Sequence, residues 1–331
     1  IRALAPLHQS GVPICVHMRQ EGDGVVDALR EMIEVARALQ TPLEVSHLKA
    51  IGGRNARKAV PEMLSLIARA REEGLDVMCD AYPYTAGSTQ LIHVLPPEFQ
   101  TGGTETLTKR LRDRAAREEM RARMETGSDF ENITLLVGFE NVIAIGLRTD
   151  EYRRFEGKSI AEIALALGKD PYDALFDLLA AEKCEAGMID YISDEEDLKA
   201  ILRAPFSGVI SDATYPGAGQ VHPRVYGAFA RLIETYVVRE KVLTLEQAVH
   251  KVTLQAAERF SLAGKGKIEV GADADLLLFA PEKIRERGTY LTPKACASGF
   301  DEVFVLGERV IENGEYRGGS SGEMLGLRME Y

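Results

Sequence analysis

The strongest constraint on this chain is a rhythm: short, almost wholly apolar runs recur about every 30 residues through its first 85 positions, the length of a βαβ unit. Val12-Pro13-Ile14-Cys15-Val16-His17 is the first, Leu43-Glu44-Val45-Ser46-His47 the second and Leu75-Asp76-Val77-Met78-Cys79-Asp80-Ala81 the third. Continuous apolar runs of this length suit strands covered on both faces, as in parallel sheets. Between them, Val25, Val26, Leu29, Met32, Ile33, Ala36 and Leu39 repeat at helical spacing and predict a helix over about 24–39. Pro61, Met63, Leu64 and Ile67, with Gly74 beyond, predict another over about 60–73. Alternation of strand and helix gives an α/β fold with a parallel sheet.

The rhythm breaks over about 95–205, which reads as a mostly helical insertion. Ser159 with Glu162, and Asp170 before Pro171, are helix starts, and Ser193 is placed to cap a helix over 194–203. A further strand, Gly208-Val209-Ile210-Ser211, ends at Asp212. Helices are expected near 225–238 and over about 245–259, the latter opened by Thr244 and Gln247. From residue 263 to 331 the pattern becomes that of a small β domain. Leu276–Phe279 forms one strand, and Val303–Ile311 a hairpin turning at Gly307.

Composition excludes several classes. A net charge of -11 and pI near 5.2, without a Lys/Arg cluster, argue against a nucleic-acid partner. The basic residues from Lys109 to Arg123 alternate with acids as on a solvated helix. No apolar run reaches the roughly 18–20 residues of a membrane span, and no signal peptide opens the chain. The four cysteines, Cys15, Cys79, Cys184 and Cys296, have no paired spacing, which fits a reducing cytoplasm. The first residue is Ile1 rather than Met, as in a piece of a longer polypeptide.

His17, His47 and Asp212 each sit where a buried strand ends, and parallel α/β folds bind ligands at the C-terminal ends of their strands. Two imidazoles and a carboxylate meeting at one point would suit Zn²⁺. A lone strand-end histidine is as readily a hydrogen-bonded structural residue. The recurrence on successive strands, each followed by a basic residue (His17-Met18-Arg19, His47-Leu48-Lys49), favours the metal. Gly52-Gly53-Arg54-Asn55 lacks the Lys-Ser/Thr pair of a phosphate loop and reads as a turn. His250 falls within a capped helix, His93 in an apolar loop, and His222 before Pro223 reads as fixing the loop that presents Arg224.

Several separated segments resemble the D-aminoacylase (N-acyl-D-amino-acid deacylase) family of zinc-dependent amidohydrolases. They are Val16–Asp23, Val45–Lys49, Asp80-Ala81-Tyr82-Pro83-Tyr84-Thr85-Ala86-Gly87-Ser88-Thr89, Ser211-Asp212 with His222-Pro223-Arg224 and Tyr226–Phe229, and Gly266–Leu276. The resemblance covers most of the chain and is weakest over the insertion. It implies a (β/α)8 TIM barrel with a small β-sandwich domain. Residues 1–262 would supply the later strands only, and 263–331 part of the sandwich. His17, His47 and Asp212 would then close strands five, six and eight, with Cys79-Asp80 on strand seven. By the same resemblance His17 and His47 hold one tight zinc, and Asp212 is the proton shuttle and a ligand of a second, weaker metal. Lys49, Tyr82, Ser88 and Arg224 bind the substrate carboxylate, and Arg19 supports from behind. The expected reaction is hydrolysis of an N-acyl-D-amino acid. A cyclic amidase of the dihydroorotase or hydantoinase kind is the alternative, as is a catalytically incomplete subunit. The family also uses a His-x-His pair after strand one and a bridging Cys after strand two. The chain contains no His-x-His, and Cys15 does not match the bridging position. The resemblance therefore implies that the first half of the barrel lies upstream or comes from another chain, and that these residues alone bind zinc poorly.

Overall fold

The computed structural model describes residues 1–214 and 219–325. Its first sheet is parallel, in the order β1-β2-β3-β7: β1 (Ile14–Val16), β2 (Leu43–Val45), β3 (Val77–Ala81) and β7 (Ser207–Val209). The registers Ile14↔Leu43, Leu43↔Val77 and Cys79↔Ser207 bring the strand ends to one side. Helices α1 (Val25–Leu39) and α2 (Ala59–Glu72) follow β1 and β2, as the apolar spacing predicts. α1 buries Val25, Ala28, Leu29, Ile33, Ala36 and Leu39 and ends where Gln40 turns left-handed at φ 46°. Each large apolar side chain in such a stripe contributes about 1.5–3 kcal/mol when fully buried, so the helix is held by this face.

The middle segment is helical, as expected, but it also contains a sheet that the sequence pattern does not announce. β4 (Ala86–Gln90), β5 (Val142–Ile145) and β6 (Gly187–Tyr191) pair antiparallel in the order β4-β6-β5. Helices α3–α7 (Gly103–Arg110, Arg114–Thr126, Ile133–Val137, Ile160–Leu167 and Pro171–Ala181) surround it. This body has its own core, in which Val142, Ala144 and Met188 meet Leu175, Phe176, Leu178 and Leu179. The parallel sheet and its helices form a separate one. The capping box of Ser159 and Glu162 and the cap by Asp170 are both present. α8 (Glu195–Arg203) is capped by Asp194 rather than Ser193, because the Asp194 carboxylate accepts from the backbone of Glu196 and Asp197. Its Leu198, Ile201 and Leu202 pack into the core of the parallel sheet.

α9 (Arg224–Arg231) runs on as a π-helical stretch over Leu232–Arg239. The helix expected over 245–259 is divided into α10 (Leu245–Val252) and α11 (Leu254–Arg259) at Thr253, whose backbone leaves the helical region and whose hydroxyl bonds back to Val249 O at 2.6 Å. One antiparallel sheet closes the chain, in the order β11-β10-β9-β8: β8 (Leu276–Phe279), β9 (Phe300–Val305), β10 (Glu308–Glu312) and β11 (Glu315–Tyr316). The described residues of this region form a single sheet, not two facing ones. No helix among them is long and apolar enough to cross a membrane.

Arg259 fastens α11 beneath the parallel sheet. Its Nε lies 2.7 Å from Glu44 Oε2 on β2, and both side chains are at most 5% exposed. Burial and the neighbouring Asp80 carboxylate push Glu44 up to about 8 despite this pairing, so Arg259 is the main counter-charge of a carboxylate that water does not reach. Arg259→Met is expected to destabilise the fold by about 3–5 kcal/mol, the usual result of stranding one partner of a buried pair. The parent fold already holds the Glu44 proton up to about pH 8, and without Arg259 the fold holds it more tightly still, so the deficit is expected to grow as pH rises above about 8. Urea melts at about pH 7 and about pH 9.5 measure this; an equal loss at both values contradicts it.

Candidate metal centre

The ends of β1 and β2 bring two imidazoles together. His17 Nδ1 is 3.1 Å from His47 Nε2, with ring centroids 4.8 Å apart in an edge-to-face arrangement. His47 takes a left-handed backbone conformation, φ 41°, just past its strand, and Asp80 Oδ1 at the end of β3 accepts its N–H at 2.5 Å. The turn is thus tied to the neighbouring strand, and the ring is aimed along the strand ends.

Behind His47 lies Glu21, which no feature of the strand-end pattern singles out. Its carboxylate is 3% exposed and stands 3.1 Å from His47 Nδ1 and 2.7 Å from Lys49 Nζ. Lys49 Nζ also approaches His47 Nδ1 at 2.9 Å and donates to His47 O at 3.1 Å. Burial alone would raise Glu21, but Lys49 and His47 hold it down to about 2. Burial opposes the charge of Lys49 as well, and Glu21 reverses this, so its ammonium is held above the usual lysine range. Burial lowers His17, against the pull of Glu21, which favours the neutral, ligand-competent imidazole.

His17, Glu21 and His47 offer ligand atoms within 4.8 Å of one another. This donor set fits zinc. Two nitrogens at about 2.0–2.1 Å from a tetrahedral ion stand roughly 3.3 Å apart, close to the observed 3.1 Å. A carboxylate on the far nitrogen of a ligating histidine fixes the tautomer whose other nitrogen faces the metal. The carboxylate gathered with the imidazoles is therefore that of Glu21, not that of Asp212. The only signal for it in the sequence is its place four residues after His17.

Asp212 opens onto the same cavity, of about 680 Å³, as His17, His47, Lys49, Tyr82, Ser88 and Arg224. Its backbone is also left-handed, φ 48°. Its Oδ2 lies 2.8 Å from Nη1 of Arg224, which is 2% exposed, and Asp212 does not join the three clustered ligand atoms. The Arg224 guanidinium stacks 4.7 Å over the Tyr82 ring and donates to Ser88 O at 3.1 Å. Burial pushes the Tyr82 phenol up to about 12, so it stays protonated and able to donate. Ser88 reaches the wall, but its hydroxyl already donates to Met188 O at 2.9 Å. His222 holds the turn before α9: its Nδ1 accepts from Arg224 N and its Nε2 meets Ala86 O, each at 3.0 Å. His93 lines the cavity from an exposed position, and His250 faces solvent. Arg19 stands at the rim, paired with Glu31.

The insertion supplies the opposite wall, including Leu95, Phe130, Glu131, Ile133 and Asp190. Glu131 Oε2 accepts from Glu21 N at 2.6 Å, and burial together with Glu21 pushes it up to about 7. Neither Glu131 nor Asp190 is foreshadowed in the sequence, since no strand-end periodicity marks either.

Residues 2–292 match the Amidohydrolase family. The chain is 30% identical over 328 residues to a D-aminoacylase of Alcaligenes xylosoxydans xylosoxydans, an alignment covering 98% of this chain and 57% of that protein. A solved structure of N-acyl-D-glutamate deacylase from Bordetella bronchiseptica, complexed with zinc and a phosphonate mimic of the tetrahedral intermediate, superposes with a TM-score of 0.73. It is 29% identical and covers 92% of this chain and 54% of that one. A D-aminoacylase structure described by its binuclear metal centre, with activation by one metal and attenuation by a second, gives a TM-score of 0.73 at 30% identity, covering 95% and 56%. The chain thus spans little more than half the length of these relatives.

His17→Ala and His47→Ala are each expected to weaken zinc binding by more than about tenfold, and Glu21→Gln by about 10–100-fold. Competition with a chromophoric chelator reads these constants. Equal zinc affinity in Glu21→Gln and the parent protein contradicts the support assigned to that carboxylate.

Proposed function

This chain belongs to the amidohydrolase family, and we propose that it forms the later strands of a (β/α)8 barrel that hydrolyses N-acyl-D-amino acids to a carboxylate and a D-amino acid. The observation that carries this reading is the sharing of one cavity by the His17–His47 pair and the Arg224–Asp212 pair. A cation site and an anion site set side by side suit an amide whose neighbouring carbon bears a carboxylate. The deacylase relatives support the same substrate class.

His17 and His47 would hold zinc, with Glu21 fixing His47 from behind. An ion bound there would supply a Lewis acid for the scissile carbonyl and a water whose pKa is lowered from about 15.7 toward ~7. Asp212 would accept the proton of the attacking water and pass it to the leaving nitrogen. It would also be a ligand for a second, weaker metal, in keeping with the binuclear relative. Arg224 receives the α-carboxylate, with its plane set by the Tyr82 ring and its backbone by His222. Lys49 adds a second cation at the floor, Tyr82 a phenolic donor, and Ser88 the adjoining wall. With carboxylate and carbonyl both fixed, the side chain has one permitted direction, toward Leu95, Phe130 and Ile133 of the insertion.

Among the described residues the outer edges of β1 and β7 are unpaired, which supports the barrel reading, as does Cys15, which is exposed on β1. Leu276 and Leu277, 37% and 55% exposed on β8, support a second sheet laid against the first as a sandwich. On this reading a His-x-His pair and a bridging cysteine reach the site from outside these residues, in cis or from another chain. The four unpaired cysteines support a cytoplasmic setting.

In the complete polypeptide loaded with zinc, turnover is expected on N-acetyl-D-amino acids and not on their L-enantiomers, dihydroorotate or hydantoin. Activity confined to the cyclic imides would transfer the protein to the cyclic amidases. Asp212→Asn is expected to lower kcat by about 10²–10⁴ with little change in KM, whereas Arg224→Gln should chiefly raise KM. Steady-state kinetics on N-acetyl-D-leucine distinguish the two, and the reverse pattern contradicts the roles of proton shuttle and carboxylate clamp.

A further inference from the structure

Asp190 takes no part in the scheme above, yet it is 3% exposed on β6 and its Oδ1 finds no hydrogen-bond partner among the described residues. A buried carboxylate oxygen without a donor costs free energy, so it marks a place that a ligand's donor can fill. A matching vacancy lies in the same cavity. Arg224 Nε meets no acceptor among the described residues, and Nη1 faces Asp212 without the alignment of a hydrogen bond.

Gly87 keeps the space over Asp190 open. The two residues are paired across β4 and β6. A Cβ at Gly87 would stand 2.8 Å from Asp190 Oδ1, 2.9 Å from Ile192 Cδ1 and 3.4 Å from the Tyr82 hydroxyl oxygen. Tyr82 is also the ring beneath Arg224. An unpartnered acceptor and unpartnered donors therefore flank one aromatic side chain. An α-amino acid derivative carries the complementary pair on a single carbon, a carboxylate to accept and an N–H to donate.

We propose that Asp190 binds the nitrogen of the ligand whose α-carboxylate Arg224 holds. Its Oδ1 accepts from the amide N–H of the acyl amino acid and, after cleavage, from the α-ammonium of the D-amino acid. This rests on the α-carboxylate reading of Arg224. It adds a consequence: the free amino acid is retained by the same two residues that position the substrate, so product competes with substrate through Asp190. Carboxylates lacking the nitrogen engage Arg224 alone.

Calorimetric titration of the zinc-loaded complete polypeptide with D-leucine and with 4-methylpentanoate, the same carboxylate without the amine, tests this. Asp190→Leu removes the acceptor, while Gly87→Ala leaves the charge and fills the space above it. Each is expected to weaken D-leucine about 10–100-fold relative to 4-methylpentanoate, the range for a charge-assisted hydrogen bond. Chelation of the metal by the amine is common to parent and variants and cancels in the ratio. Thermal melts check folding in both variants. An unchanged ratio in both variants overturns the proposal. If Arg224→Gln leaves 4-methylpentanoate binding intact, or the parent does not bind it, the α-carboxylate reading fails first and takes this proposal with it.

Discussion

A buried ammonium needs a buried anion beside it, and the pairing of Lys49 with Glu21 is the interaction on which the candidate centre depends. Their side chains are 10% and 3% exposed and 2.7 Å apart. Either charge alone at such depth would be driven to its neutral form. Together they create a fixed polar floor, in which the Glu21 carboxylate meets His47 Nδ1 and Lys49 donates to the His47 carbonyl. The other nitrogen is thereby committed to His17. Loss of either partner would disturb the ring before any ligand arrived, which couples the stability of this corner to its chemistry.

The same floor joins the two bodies of the chain. Glu131 comes from the insertion and accepts the backbone N–H of Glu21. Arg224 comes from the helix after β7 and donates to Ser88 O on β4. The insertion has its own core, yet it meets the parallel sheet through polar bonds at the cavity. Its contribution is the wall opposite the strand ends, where Leu95, Phe130, Ile133 and Asp190 define what lies next to the imidazoles. A scaffold of strand ends can keep its chemistry while such a wall alters the shape and charge of what fits.

Much of the scaffold was legible in the sequence, because its signals are local. The apolar runs at β1, β2 and β3, the stripe of α1, and the caps at Ser159, Asp170 and Thr244 are each set within a few residues. His17 and His47 could be picked out because strand ends in a parallel sheet share one side. Asp212 follows from the same rule and shares the cavity, but its carboxylate pairs with the guanidinium of Arg224 and is not among the three clustered ligand atoms. Glu21, Glu131 and Asp190 were missed because their roles come from contacts across 28, 110 and 100 or so positions of chain. The antiparallel sheet was missed for a related reason. Ala86–Gln90 contains Ala, Gly, Ser and Gln, which do not announce a strand, and its partner lies about 100 residues away.

If His17 and His47 ligate one ion, X-ray absorption at the zinc K-edge of the zinc-loaded protein will register both rings. Nitrogen and oxygen neighbours are expected at about 2.0–2.1 Å, with outer-shell imidazole scattering that falls by one ring in His17→Ala and by one ring in His47→Ala. A spectrum indifferent to both substitutions would rule the shared ion out.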